Sequence, residues 1–386
     1  MRVLFTFAGG SGHAVPLLPI AGALRTAGHD VAFAGWHFAA ADIEARGFTL
    51  LGKSGDTKSA PPAITPLLEL DMEREYRVLR DHYAGRWARY QATRVLELSA
   101  EWQPDLIVCD EVDFGSMIAA EQLGLPHATV LVIAAGSFVR PDVVSEPLDV
   151  LRAEHGLPPD PGLEMPSRHL VLSPFPPSFR DPAYPLPPNT LSIRPEAADP
   201  GDANAAPTWL SHLSDKPTVY FTLGTVFNLE SGDLFSRVVS GLRQLPINII
   251  VTVGRQIDPK SLGPQPDNVR IERYIPQSTL LPHCDLVVNH GGSGSVIGAL
   301  AHGLPLVVIP MGGDQSLNAV RCEQLGVGVA LNAVRATPES VGDAVAGVLL
   351  APRHRESAER MRDEIAALPE ADAAVPLLER LVTAAR

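Results

Sequence analysis

Twice in this 386-residue chain a short β-branched and aromatic run passes directly into glycines and then into a helical apolar pattern. Residues 3–7 lead to Gly9, Gly10 and Gly12; residues 286–288 lead to Gly291, Gly292 and Gly294. Such runs read as buried strands. Glycines at their carboxyl ends let the backbone turn sharply and meet a ligand with no side chain in the way. The same alternation recurs through strand-like residues 31–34, 106–108 and 128–133, and again through 218–222, 249–253 and 327–331. Strands alternating with helices imply parallel sheets. A chain this long exceeds the usual limit of one core, so the expected fold class is α/β, with two doubly wound, Rossmann-like domains.

The expected boundaries follow the proline content. Residues 1–200 form a first domain, with a proline-rich linker following to about 216, and 217–365 form a second. Residues 140–216, with SPFPPSF and DPAYPLPPN, read as the connection, because proline is excluded from helix interiors. Helical patterns are expected over 15–27, 38–46, 114–123, 338–350 and 356–384, and a long polar helix follows a loop near Pro61 and Pro62.

Composition narrows the function class. The net charge of −13 argues against nucleic acid or an anionic membrane surface as a partner. Three widely spaced cysteines, with no C-x-x-C pair, suit a reduced cytoplasm. The opening MRVLFTFAGG reads as a strand and is too short for a signal peptide or a membrane helix. A cytoplasmic monomer or homodimer without membrane insertion is the expectation. No His and acidic residues stand at metal-ligand spacing, so no metal is expected.

Residues 285–315 carry the chemistry. Ser293 and Ser295 stand where a helix N-cap is expected, ahead of Val296, Ile297 and Leu300. A helix N-terminus there suits a phosphate, and His290 at the strand end can donate to it; a satisfied strand-end histidine is the alternative. Asp314 and Gln315 follow at the end of the next strand, facing the same crevice in an open parallel sheet. A diphosphate on one turn and a polyhydroxylated group on the other describe a nucleotide sugar. At the first turn, His13 has the residue type that can take a proton from an attacking hydroxyl. Asp110, ending strand 106–108, can orient it; Glu111 and Asp113 stand close beside Asp110.

Residues 285–315 resemble the nucleotide-sugar signature of family 1 glycosyltransferases with the GT-B fold, and most of all the bacterial antibiotic (natural-product) members. Arg273-Tyr274-Ile275-Pro276-Gln277 resembles the family's base-binding turn, and Gly9-Gly10-Ser11-Gly12-His13-Ala14-Val15-Pro16 its amino-terminal motif. The resemblance spans nearly the whole chain. It implies two domains facing across a cleft, the first binding the acceptor and the second the donor, with helix 366–386 crossing back to the first. It implies an inverting, metal-independent hexosyl transfer with His13 and Asp110 as the catalytic dyad. It places the donor against Gly12, Thr225, Tyr274, Ile275, Gln277, His290, Gly292, Ser293, Gly294, Ser295, Asp314 and Gln315. No cofactor is implied beyond the nucleoside-diphosphate sugar, which is a co-substrate.

One departure bears on donor choice. Many members place a ribose-binding glutamate where this chain has Gly298. Without that carboxylate a 2′-hydroxyl gains no partner, so a dTDP-sugar is favoured over a UDP-sugar. The acceptor is expected to be a hydrophobic small-molecule aglycone. Tyr76, Tyr83, Trp87 and Phe138 are candidates to bind it, with core packing as the alternative reading. A dinucleotide oxidoreductase is disfavoured: Val15 stands where a third glycine is required, and the second strand ends at Gly35-Trp36 without an acidic residue. A sugar-nucleotide epimerase and a non-catalytic nucleotide-sugar-binding helper remain as rivals on the same fold.

Overall fold

The computed structural model describes residues 1–36, 39–54, 63–195 and 207–385. Two compact units emerge: Met1–Lys58 with Glu73–Glu196 and Leu368–Arg386, and Ser59–Met72 with Ala197–Ala367.

The first unit holds seven strands: β1 (Arg2–Thr6), β2 (Asp30–Trp36), β3 (Thr49–Ser54), β4 (Leu106–Asp110), β5 (His127–Val130), β6 (Leu170–Ser173) and β7 (Thr190–Ser192). All pair in parallel, in the order β3-β2-β1-β4-β5-β6-β7. The chain winds outward from β1 through β2 to β3, then returns to the other side of β1 with β4. The order therefore reverses between β1 and β4, and a crevice opens at their carboxyl ends.

The second unit repeats the plan with β8 (Thr218–Thr222), β9 (Asn248–Thr252), β10 (Val269–Glu272), β11 (Leu286–Asn289), β12 (Leu306–Val308) and β13 (Gly328–Ala330). The order is β10-β9-β8-β11-β12-β13, again parallel throughout, with its reversal between β8 and β11. The central strands of both sheets are buried and largely apolar, as Val3, Leu4, Phe5, Val219 and Phe221 illustrate, and the edge strands β7 and β10 are partly exposed. All three cysteines are buried thiols. Among the described residues no helix is long and apolar enough to cross a membrane.

Several expectations are corrected. The stretch 140–216 is more than a connection: it contributes helix Pro141–Glu154 and strands β6 and β7. Pro141 sits in the first helical turn, where its missing N–H is not needed. The helix expected over 15–27 begins earlier, at Ser11, and passes through a 3₁₀ turn over Val15–Leu17, beside Pro16 and Pro19. The helix expected over 38–46 spans Ala40–Ala45, and residues 37–38 lie outside the described residues. The pattern over 356–384 is two helices, Pro352–Ala367 and Val375–Ala385, because Pro369 ends the first. The second of these packs Ala371, Ala374, Leu378 and Val382 of its approach and face into the first unit's core. Residues 63–72 belong with the second unit, where Thr65 exchanges main-chain hydrogen bonds with Leu229 and Gly232.

Candidate active site

In the first unit the crevice between β1 and β4 receives His13 and Asp110. Thr6 pairs with Cys109 in register, so the residue following Cys109 emerges beside the turn that follows β1. Asp110 is fully buried and His13 about one-quarter exposed; Nδ1 of the imidazole lies 3.3 Å from Oδ2 of the carboxylate. The main-chain N–H groups of Ala8 and Val112 donate to Oδ2 and Oδ1 of Asp110 at 2.7 and 2.8 Å. Gly9 is required here, because a Cβ at that position would stand 2.3 Å from the imidazole. Ser11 Oγ donates to Asp42 and so ties the glycine turn to the helix Ala40–Ala45.

Three acidic residues, Asp110, Glu111 and Asp113, stand at and just after the end of β4, and of these only Asp110 is directed at His13. Glu111 turns to the chain after β5, accepting from the N–H groups of Val132 and Ile133. Burial raises its pKa to about 7, opposed by the nearby Arg180. Asp113 caps helix Phe114–Leu123 and accepts from Ser116 Oγ at 2.7 Å and Gln91 Nε2 at 3.3 Å. Burial and then the charge of Asp110 raise it to about 7.

The four aromatic candidates divide. Tyr83 stacks on His13, with centroids 6.1 Å apart and planes 20° apart. Tyr76 lies against Phe138 at 5.6 Å and under the Arg140 guanidinium at 4.6 Å. Trp87 and Phe138 are only 6% and 8% exposed, so little ring surface is left for a ligand. Trp87 instead meets Trp36 edge-on, as a packing residue.

In the second unit the crevice between β8 and β11 receives His290. Asn289 pairs with Thr222, which puts His290 beside Gly224. A Cβ on Gly224 or on Gly292 would come within 2.6 Å of the imidazole, so two glycines make room for one ring. Burial lowers the His290 pKa to about 4, so the ring is neutral at pH 7 and supplies a hydrogen bond rather than a charge. Its Nδ1 is buried with no hydrogen-bond partner among the described residues. Helix Ser293–Ala301 begins in the same place. Its N-cap is Gly292, not Ser293 or Ser295, and Ser293 Oγ donates instead to Asp314 Oδ2 at 2.8 Å. Gly291, at φ +90°, has its Cβ position blocked by the Gln315 carbonyl at 2.8 Å, so the two turns approach more closely than a side chain would allow. Gly294 and Thr225 are exposed beside these groups, and Ser295 is half-buried in the first helical turn.

Gln315 is committed to its own loop: its Oε1 accepts from the N–H groups of Met311 and Gly312 at 2.8 and 3.2 Å. Tyr274, 39% exposed, carries the Arg255 guanidinium 4.2 Å over its ring, and Ile275 is buried. Gln277 reaches the buried Tyr220 hydroxyl, which Thr252 Oγ1 also meets at 2.7 Å. Gly12, on helix Ser11–Ala14 of the first unit, is exposed. Among the described residues no group of three His, Cys, Asp or Glu could hold a metal ion.

Sequence reasoning missed Asn318. Its amide donates to the Gly291 carbonyl at 2.9 Å, Ser293 Oγ at 3.1 Å and Asp314 Oδ2 at 2.8 Å, joining the two glycine turns. The available signal was its spacing, one helical turn beyond Asp314. Arg255 left no such signal, since it reaches Tyr274 from a different loop.

Comparison with known proteins decides the family. The domain described as "Erythromycin biosynthesis protein CIII-like, C-terminal domain" matches residues 236–381. The aclacinomycin-T 2-deoxy-L-fucose transferase of Streptomyces galilaeus is 28% identical over 99% of this chain and 96% of its own. The structure of the spinosyn rhamnosyltransferase SpnG complexed with thymidine diphosphate superposes with a TM-score of 0.77 at 26% identity, covering 98% of this chain and all of that one. The 4′-demethylrebeccamycin synthase of Lentzea aerocolonigenes is 32% identical over 76% of this chain and 77% of its own. The chain belongs to the GT-B antibiotic glycosyltransferases. This glycosyltransferase thus carries two switch-point crevices, one with a histidine–carboxylate pair and one with a glycine-framed helix N-terminus. Of the rival readings, the oxidoreductase is excluded by this membership.

Proposed function

We propose that the protein transfers a deoxysugar from a dTDP-sugar to a hydroxyl of a hydrophobic natural-product aglycone, with inversion and without a metal. The observation that carries the chemistry is the 3.3 Å approach of His13 Nδ1 to Asp110. With Nδ1–H directed at the carboxylate, the basic lone pair of the neutral ring is on Nε2. The acceptor oxygen attacks C1 of the sugar from the face opposite the diphosphate. The new O–C1 bond forms as the C1–O bond to phosphate breaks, its electron pair leaves with the diphosphate, and the hydroxyl proton passes to Nε2. In the second unit the helix N-terminus at Ser293 and the neutral donor His290 receive the leaving phosphate. Product NMR checks the stereochemistry: an α-linked donor is expected to give a β-linked product, and retention would rule out the single displacement. The deoxysugar class is supported by the 2-deoxy-L-fucose transferase named above, and the acceptor wall is assigned to Tyr76 and Tyr83, the less buried of the four rings.

The donor assignment rests on Gly298 and is supported by the thymidine diphosphate bound by SpnG. A Cβ on Gly298 would stand 3.4 Å from Gln277 Oε1, a distance that admits a side chain without moving its neighbour far. Deoxythymidine diphosphate is expected to bind at least as tightly as uridine diphosphate. Gly298→Glu is expected to shift preference toward the ribonucleotide by about 1 kcal/mol, one new hydrogen bond. Calorimetric titration of both diphosphates into both proteins measures this, and clearly tighter uridine diphosphate binding to the unmodified protein would overturn the donor assignment alone.

A further inference from the structure

Between helices Met72–Val78 and Ala88–Trp102 the chain winds as a π-helix over Leu79–Trp87. The N–H of Ala88 donates to the carbonyl of Tyr83, five residues back. Wide turns of this kind are uncommon and gather at functional sites. Their effect here is visible in the rings. Trp36 makes edge-on contacts with both His82, at 6.2 Å, and Trp87, at 5.1 Å. Residues five apart on an α-helix point about 140° away from each other, so one indole could not meet both. The π-turn aligns them, and His82 in turn holds Tyr83 edge-on at 5.1 Å. Tyr83 is thereby fixed in its stack on His13.

We infer that Tyr83 is a positioning residue for His13, delivered by the π-helical turn, and that its ring stabilises the imidazolium formed when the acceptor gives up its proton. The inference rests on the reading of His13 as the base. Asp110 restrains the imidazole in its plane through Nδ1, and Gly9 admits its edge. Tyr83 adds a ring surface whose negative face favours the cation over the neutral ring. Among the described residues, Asp110 and Tyr83 face His13 directly; one contact further out, Asp113 interacts with Asp110, His82 packs on Tyr83, and Asp42 on helix Ala40–Ala45 accepts from Ser11.

The test compares Tyr83→Leu, which removes the ring, with Tyr83→Phe, which keeps it. Turnover depends on neutral His13, so activity rises as pH rises through the His13 midpoint. Loss of the ring makes the cation less favourable and moves that midpoint, and the acidic limb of kcat, to lower pH. The expected shift is about half a pH unit, with a two- to fivefold fall in plateau kcat, the size of an exposed cation–aromatic contact. Tyr83→Phe, which keeps the ring, is expected to leave the His13 midpoint near native. Because Asp113, raised to about 7, lies beside Asp110 and is unchanged in either variant, the His13 midpoint is also read directly by NMR of histidine-labelled protein without substrate. That measurement stands whether or not His13 proves to be the base, which His13→Ala decides separately. If Tyr83→Leu leaves the midpoint in place and only raises the acceptor KM, Tyr83 is acceptor wall alone and the inference falls. A midpoint shifted equally by Tyr83→Phe also overturns it, since the hydroxyl and not the ring would then be responsible.

Discussion

Replacing His13 by alanine is expected to lower turnover on the order of a hundredfold or more, the usual contribution of a placed general base. Nucleoside diphosphate affinity is expected to change little, since His290 and the helix at Ser293 belong to the second unit. The fold should survive the change. Asp110 keeps the N–H groups of Ala8 and Val112, so its charge is not stranded when the imidazole goes. Asp110→Asn is a harsher test than an isosteric swap suggests. Each carboxylate oxygen accepts a main-chain N–H, so either orientation of the amide sets its NH₂ against a donor. A fall in thermal stability is therefore expected for Asp110→Asn and not for His13→Ala. Steady-state kinetics with an unactivated hydroxyl acceptor, beside calorimetry with the free diphosphate, separates the effects. Near-native turnover in His13→Ala would sink the base assignment.

His290→Ala is expected to weaken nucleoside diphosphate binding by about 1.5–3 kcal/mol, roughly ten- to hundredfold. The ring is buried, framed by two glycines and held neutral at pH 7 by its burial. An arriving phosphate supplies the opposite charge that burial denies it, so binding raises the His290 pKa above its free value of about 4. The sign follows. Between pH 4 and the bound-state midpoint, binding takes up a proton, and affinity rises as pH falls. His290→Ala should lose that slope along with the affinity. Gly292→Ala provides the matching control, because a Cβ 2.6 Å from His290 Nε2 displaces the ring without removing it. A diphosphate affinity unchanged in His290→Ala would remove His290 from the phosphate site.

What the sequence determined by itself is the part written in short-range patterns. The runs at 3–7 and 286–288 could be read as strands because burial on both faces demands unbroken apolar residues, and the glycines after them because a turn at φ +90°, as at Gly291, excludes a side chain. With the strand runs at 106–108 and before Asp314, those two facts put Asp110, His290 and Asp314 after strands and His13 on the first helix. The tertiary structure decided what depends on direction and on distant partners. Of Asp110, Glu111 and Asp113, three carboxylates within four residues, one faces His13, one clamps the chain after β5 and one caps a helix. Their side chains leave the strand end in different directions, and no spacing rule distinguishes them once the strand has ended. Spacing from Asp314 put Asn318 on the same helix face, but its bond to Gly291 depends on two turns meeting across the β11–β12 crossover. The π-helix over Leu79–Trp87 had no apolar period to announce it. It is held by Trp36, whose strand β2 lies more than forty residues earlier. Local periodicity reports which side of an element is buried; which residues meet there is set by the register of parallel strands that are remote in the chain, and that register exists only in the folded sheet.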